Sequence, residues 1–183
     1  MDFETLCQEN EDIVAWLYCK NTPIHYPIVQ GNDKNYYLRR LLNSEYNING
    51  TLFLDYCCQS DFRDFNSIVY GHHMKSGETF GTLSNYKNQE YYDEHPVMYL
   101  LTPEQNYKIE LIAGYITPSD SDTYSLLNTA EEKKAFLEHA LQKSTFVSSV
   151  SVNETDSFVT LSTCSYEFEN ARYVVVGRLV APE

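Results

Sequence analysis

No stretch of about 18 consecutive apolar residues occurs in the chain, so nothing in it reads as a membrane-spanning helix. Basic residues are scarce: 13 Lys and Arg stand against 26 Asp and Glu, a formal net charge of −13. Nucleic acid and anionic membrane surfaces select basic patches, so this balance argues against both as main partners. Cysteine is present five times, an odd number, at positions 7, 19, 57, 58 and 164 and without a CxxC pair, which argues against a disulfide framework. Asp2 and Glu4 stand where a secretory signal carries positive charge, so no signal peptide is expected at Met1. Metal-ligand spacing is missing too. Cys57-Cys58 and His72-His73 are adjacent pairs, and neighbours on an extended chain point to opposite faces, so neither pair is placed to grip one ion. No metal and no cofactor are expected.

What is abundant points to strands. Tyrosine occurs 16 times while helix-favouring alanine is scarce, and 183 residues suit one domain with a sizeable core. Strand-like runs are expected at 13–18, 24–29, 51–56, 66–71, 97–101, 107–117, 158–163 and 172–180. Asn21-Thr22-Pro23 and Pro103-Glu104-Gln105-Asn106 mark turns between them. Trp16 is expected to anchor the core. Phe3, Leu6 and Cys7 fall at i, i+3 and i+4, the spacing of a short N-terminal helix. Tyr37, Leu38, Leu41 and Leu42 predict a helix within 33–42, and one or two short helices are expected over 80–95, stopped by Pro96. The clearest helix is 129–143, opened by the capping pair Thr129 and Glu132, with Phe136, Leu137, Ala140 and Leu141 as its buried stripe. No repeat or second domain is visible.

Three residues carry chemistry. Thr160-Leu161-Ser162-Thr163-Cys164 is a strand that ends on a thiol, and Arg172 heads the next strand across an acidic loop. If the two strands pair antiparallel, Cys164 and Arg172 lie opposite one another, and Phe158 lies opposite Arg178. A nucleophilic thiol beside a fixed positive donor suits acyl transfer. His72, delivered by the strand 66–71 with Gly71 to let the chain turn, is the candidate proton carrier. His73 is read as its packing neighbour.

Tyr70-Gly71-His72-His73-Met74, then Thr160-Leu161-Ser162-Thr163-Cys164, then Arg172, in that order, resemble the sortases, class B among them. Asp12 to Leu17, Tyr26 to Gly31, Asn35 to Leu38 and Gly50 to Tyr56 extend the likeness over nearly the whole chain. The resemblance implies a closed, mainly β barrel with peripheral helices, formed by 1–183 as one catalytic domain. It implies a cysteine transpeptidase that cleaves an NPxTx-like sorting signal after Thr. The new carboxyl, held as a thioester on Cys164, then passes to an amine. His72 would protonate the leaving amine, and Arg172 would hold the oxyanion or the substrate carbonyl. Ser162, Thr163 and Tyr124 are the candidate groove residues. The implied partners are a sorting-signal-bearing surface protein or pilin, and an amine of a peptidoglycan precursor or a pilin lysine. The implied place is the outer face of a Gram-positive membrane, reached through an anchor outside this chain. Cys57-Cys58 departs from the class pattern. Two other readings stay open: a hydrolytic cysteine peptidase, and a non-catalytic surface-binding barrel. A papain-like peptidase would place its Cys early, on a helix, and its His late, the reverse of the order here.

Overall fold

The computed structural model describes residues 1–182. Eight strands run β1 (Ile13–Tyr18), β2 (His25–Val29), β3 (Leu52–Leu54), β4 (Asn66–Tyr70), β5 (Val97–Leu101), β6 (Asn106–Pro118), β7 (Ser157–Cys164) and β8 (Ala171–Val180). They close into a barrel in the order β1-β2-β3-β4-β7-β8-β6-β5, with β5 returning to pair β1. Closure leaves no free sheet edge, which removes the main aggregation hazard of an all-strand core. Three α-helices sit outside: α1 (Phe3–Glu9), α2 (Gln89–Glu94) and α3 (Ala130–Lys143). No helix is long and apolar enough to cross a membrane, among the described residues.

Strand alternation divides the core in two. On β7 and β8, Val159, Leu161, Tyr173 and Val175 point into the barrel, where they meet Leu17, Ile28, Leu54 and Ile109. Phe158, Val174 and Val176 point outward and are covered by Phe136, Leu137 and Ala140 of α3. The cap of α3 forms as expected: Thr129 Oγ1 accepts from the Glu132 N–H at 3.2 Å, and Glu132 Oε2 accepts from the Thr129 N–H at 2.9 Å.

Four expectations fail for local reasons. Trp16 faces out of β1, half-buried with its ring edge on His25, because β1 turns Ala15 and Leu17 inward. Leu141 is 47% exposed, one position beyond the face that α3 lays on the barrel. The segment 33–42 holds only a single 3-10 turn, Tyr37–Arg39. Asp33 Oδ1 takes the N–H groups of Asn35 and Tyr36, both at 2.7 Å, a side-chain turn that competes with helix. By Arg40 the backbone is already extended. Finally, Gly71 is not a left-handed turn residue. A Cβ there would stand 2.4 Å from Leu52 Cδ2 and 2.6 Å from Phe80 Cδ2, so glycine serves close packing.

Candidate active site

The β7–β8 hairpin pairs Cys164 with Arg172, and it sets Phe158 opposite Arg178. On its other side β7 runs parallel to β4, with Ser162 opposite Tyr70. Two hydrogen bonds extend that ladder past the end of β4. The Gly71 N–H donates to the Ser162 carbonyl at 3.1 Å, and the Thr163 hydroxyl donates to the Gly71 carbonyl at 2.8 Å. The residue before His72 is thereby tied to the two residues before Cys164. The His72 carbonyl in turn accepts from the Phe80 N–H at 3.1 Å and the Thr79 hydroxyl at 2.7 Å. The backbone of both candidate reacting residues is held at several points.

His72, Cys164 and Arg172 line one cleft of about 220 Å³. A larger hollow, about 640 Å³, lies beside α3 and contains none of the three. In the smaller cleft Arg172 is unspent. Its Nη1 donates to the Ala171 carbonyl at 3.0 Å, and no carboxylate pairs with it among the described residues. Arg178 is already committed, to Glu110 at 2.6 Å and to the Ser151 carbonyl at 2.9 Å.

The other expected groove residues divide. Tyr124, on the 3-10 turn Asp122–Tyr124, bonds its hydroxyl to Ser162 Oγ at 2.8 Å and stacks on Tyr70 with ring centroids 6.0 Å apart. Burial pushes the Tyr124 phenol up to about 12, so it stays neutral and serves as a hydrogen-bonding wall. Thr163 also borders the cleft, but its hydroxyl is spent on Gly71. Residues the sequence did not single out complete the lining. Leu38 lies on one side, and Lys34 is ion-paired at 2.9 Å to a buried Asp55 that also accepts from Tyr70 Oη at 2.8 Å. Tyr70 had a usable signal in its position two residues before His72. Lys34 and Asp55 had none, since they meet only through the barrel. Among the described residues, no group of three or more His, Cys, Asp or Glu is placed to hold a metal ion.

The loop after Cys164 is fastened as well. The Glu167 carboxylate takes bonds from Lys87 Nζ and Ser165 Oγ, and Lys87 Nζ also reaches Ser165 Oγ at 3.3 Å. The Lys87 ammonium, then the Ser165 hydroxyl, hold the Glu167 carboxyl down at about 2, from an ordinary value of 4.5. A folded value below the unfolded one stabilises above about pH 4.5 and is lost as pH falls toward 2. Both side chains are over a third exposed, so the screened contribution is below about 1 kcal/mol. Between about pH 5 and 2, amide protection factors in residues 165–170, taken relative to the unstructured-peptide rate at each pH, are expected to fall more in the parent than in Glu167→Gln. Identical pH dependence in the two proteins would show that the pair does not hold the loop.

The family model for the sortase domain matches residues 17–180. The chain belongs to the sortase family. Sortase B of Listeria monocytogenes is 36% identical over 176 residues, spanning 93% of this chain and 71% of that protein. The crystal structure of Staphylococcus aureus sortase B superposes with a TM-score of 0.93 at 28% identity, covering 99% of this chain and 87% of that one. A sortase B-like protein of Bacillus anthracis gives a TM-score of 0.89 at 35% identity, covering 99% and 83%. The S. aureus enzyme has also been solved as a substrate complex, with a TM-score of 0.93 to this chain. This sortase is therefore a class B cysteine transpeptidase of cell-wall sorting, associated with the Gram-positive cell surface and acting on proteins that bear a sorting signal. The closed eight-stranded barrel agrees with the fold that the sequence resemblance implied.

Proposed function

We propose that Cys164, His72 and Arg172 carry the transpeptidation, and that the signal is NPxTx-like, cut after its threonine. The observation that supports this best is the pairing of Cys164 with an uncommitted Arg172 in a cleft that also contains His72. In the first half-reaction the Cys164 thiolate attacks the threonine carbonyl carbon, and the carbonyl oxygen takes up the negative charge beside Arg172. The C–N bond then breaks, and the leaving amine takes a proton from His72. This leaves a thioester on Cys164. In the second half-reaction an amine attacks the thioester, gives its proton to His72, and expels the thiolate. The acceptor is an amine of a peptidoglycan precursor or a pilin lysine. Tyr124 and Ser162 border the groove that holds the acyl half, and Thr163 fixes its floor. Tethering at the outer membrane face, by a segment outside these 183 residues, belongs to the same reading.

The test is incubation with a panel of sorting-signal peptides and candidate amines, with products read by mass spectrometry. A transfer product is expected with at least one amine, and slow hydrolysis when no amine is present, since water also attacks a thioester. Fast hydrolysis with no transfer to any amine would make the protein a peptidase.

Arg172 should act through distance. Arg172 and Arg178 share a strand face, but six residues of strand separate them, roughly 20 Å. A donor must reach about 3 Å from the oxyanion. Arg172→Ala is expected to lower turnover by about 100-fold, and Arg172→Lys to recover little, because an ammonium lacks the planar fork. Arg178→Ala, by breaking the Glu110 pair, should lower stability and leave turnover near the parent value. Equal losses of turnover in the two alanine variants, both folded by circular dichroism, would remove Arg172 from this role.

A further inference from the structure

His72 presents Nε2 to the carbonyl oxygen of Leu38 at 2.5 Å. A carbonyl oxygen only accepts, so the proton in that contact belongs to Nε2, and the neutral ring is the Nε2–H tautomer. The nitrogen left to gain and lose a proton is Nδ1. The Leu38 carbonyl is free to do this because its segment abandons helix after one 3-10 turn. The loop is instead closed from its far end. The Thr51 N–H donates to the Tyr37 carbonyl at 3.0 Å, the Thr51 hydroxyl to the Arg40 carbonyl at 2.8 Å, and the Asn47 N–H to the Arg39 carbonyl at 3.0 Å.

Gly50 lies directly against this turn. It is buried, and its φ of +59° is one that side-chain-bearing residues rarely adopt. A Cβ there would stand 2.5 Å from the Leu38 oxygen and 2.7 Å from the Tyr37 oxygen. Any side chain at position 50 therefore pushes on the carbonyl that holds the histidine.

We infer that the loop 37–51 is a positioning device for His72: the Leu38 carbonyl sets the tautomer and ring orientation, and Gly50 provides the space that lets this carbonyl reach the ring. Leu38 and Gly50 are positioning residues, acting through His72 and not on substrate. The inference rests on the reading of His72 as the proton carrier. It adds a second fixed point, since the backbone of His72 is held by Thr79 and Phe80 while its ring is held by the Leu38 carbonyl.

The test is ¹⁵N NMR of histidine-labelled protein together with peptide turnover, for the parent, Gly50→Ala and Thr51→Val. The parent is expected to show His72 as the Nε2–H tautomer. In Gly50→Ala the two tautomers should mix, and kcat should fall about tenfold while KM changes by less than about twofold, the pattern of a misoriented catalytic group. Thr51→Val loosens the same loop without a steric clash and should shift both readouts in the same direction by less, which keeps the test open if Gly50→Ala does not fold. A parent dominated by the Nδ1–H form overturns the inference. So do folded variants with the parent's tautomer ratio and kcat. The tautomer readout needs no turnover. A parent that cleaves no sorting signal would thus overturn the proposed function, while the ¹⁵N spectra still decide the role of the loop.

Discussion

Replacing Cys164 by alanine is expected to abolish both cleavage of a sorting-signal peptide and transfer to an amine, by at least about 10³-fold, the scale seen when a covalent nucleophile is removed. The other four cysteines have no route to substitute for it. Cys19 is fully buried, and burial raises its thiol above the ordinary range. Cys58 is 7% exposed, and burial pushes it up to about 12, which keeps it protonated and unreactive at neutral pH. Cys7 is half-buried on α1 and points its sulfur at the Ile13 carbonyl, 3.7 Å away. Cys57 is the exposed one, but it does not line the cleft that contains His72 and Arg172. Cys57→Ala and Cys58→Ala should therefore retain most of the activity. Intact-mass spectrometry of the trapped thioester, followed by peptide mapping, checks this. An acyl adduct on any other cysteine would refute the assignment.

The pairing of Cys164 with Arg172 was legible because a hairpin is a local object. The strand after a short loop must come back antiparallel, and counting outward from residues 164 and 172 gives the whole register. Parity then divides each strand's side chains between two faces: Val159 and Leu161 enter the barrel, while Phe158 and Val176 meet α3. The capping pair of α3 was equally local. The segment 33–51 was not legible in this way. Its apolar spacing imitated a helix, but the carbonyls of Tyr37 and Leu38 are satisfied by Thr51 and His72, residues 14 and 34 positions away. Periodicity reports which faces are apolar, not where backbone oxygens find donors. Trp16 shows the same limit from the other side. Its size suggested the core, but the small Ala15 and Leu17 already fill the inward face of β1. Its Nε1 is left buried without a protein partner among the described residues.

His72 and His73 are neighbours in sequence, and only His72 lines the cleft that contains Cys164. His72 borders the cleft with Cys164, and its ring is held by the Leu38 carbonyl. His73 turns the other way. It forms an isolated bridge with Thr79, sets its ring edge-on against Tyr166 with centroids 5.6 Å apart, and buries Nδ1 without a partner among the described residues. Burial, then the nearby Lys87 ammonium, lower its pKa below the ordinary 6.5, so at neutral pH His73 is uncharged and a poor proton donor. His72→Ala is accordingly expected to lower turnover by about 10³-fold, within the usual contribution of a positioned proton carrier. His73→Ala should lower it by less than about tenfold, through loosened packing against Tyr166. Added imidazole separates the two effects. It is small enough to enter a cleft of about 220 Å³ and supply the missing proton carrier, so it should restore part of the activity of His72→Ala and none of that of His73→Ala. Equal losses in the two folded variants, with imidazole rescuing both or neither, would leave His72 without the role proposed for it.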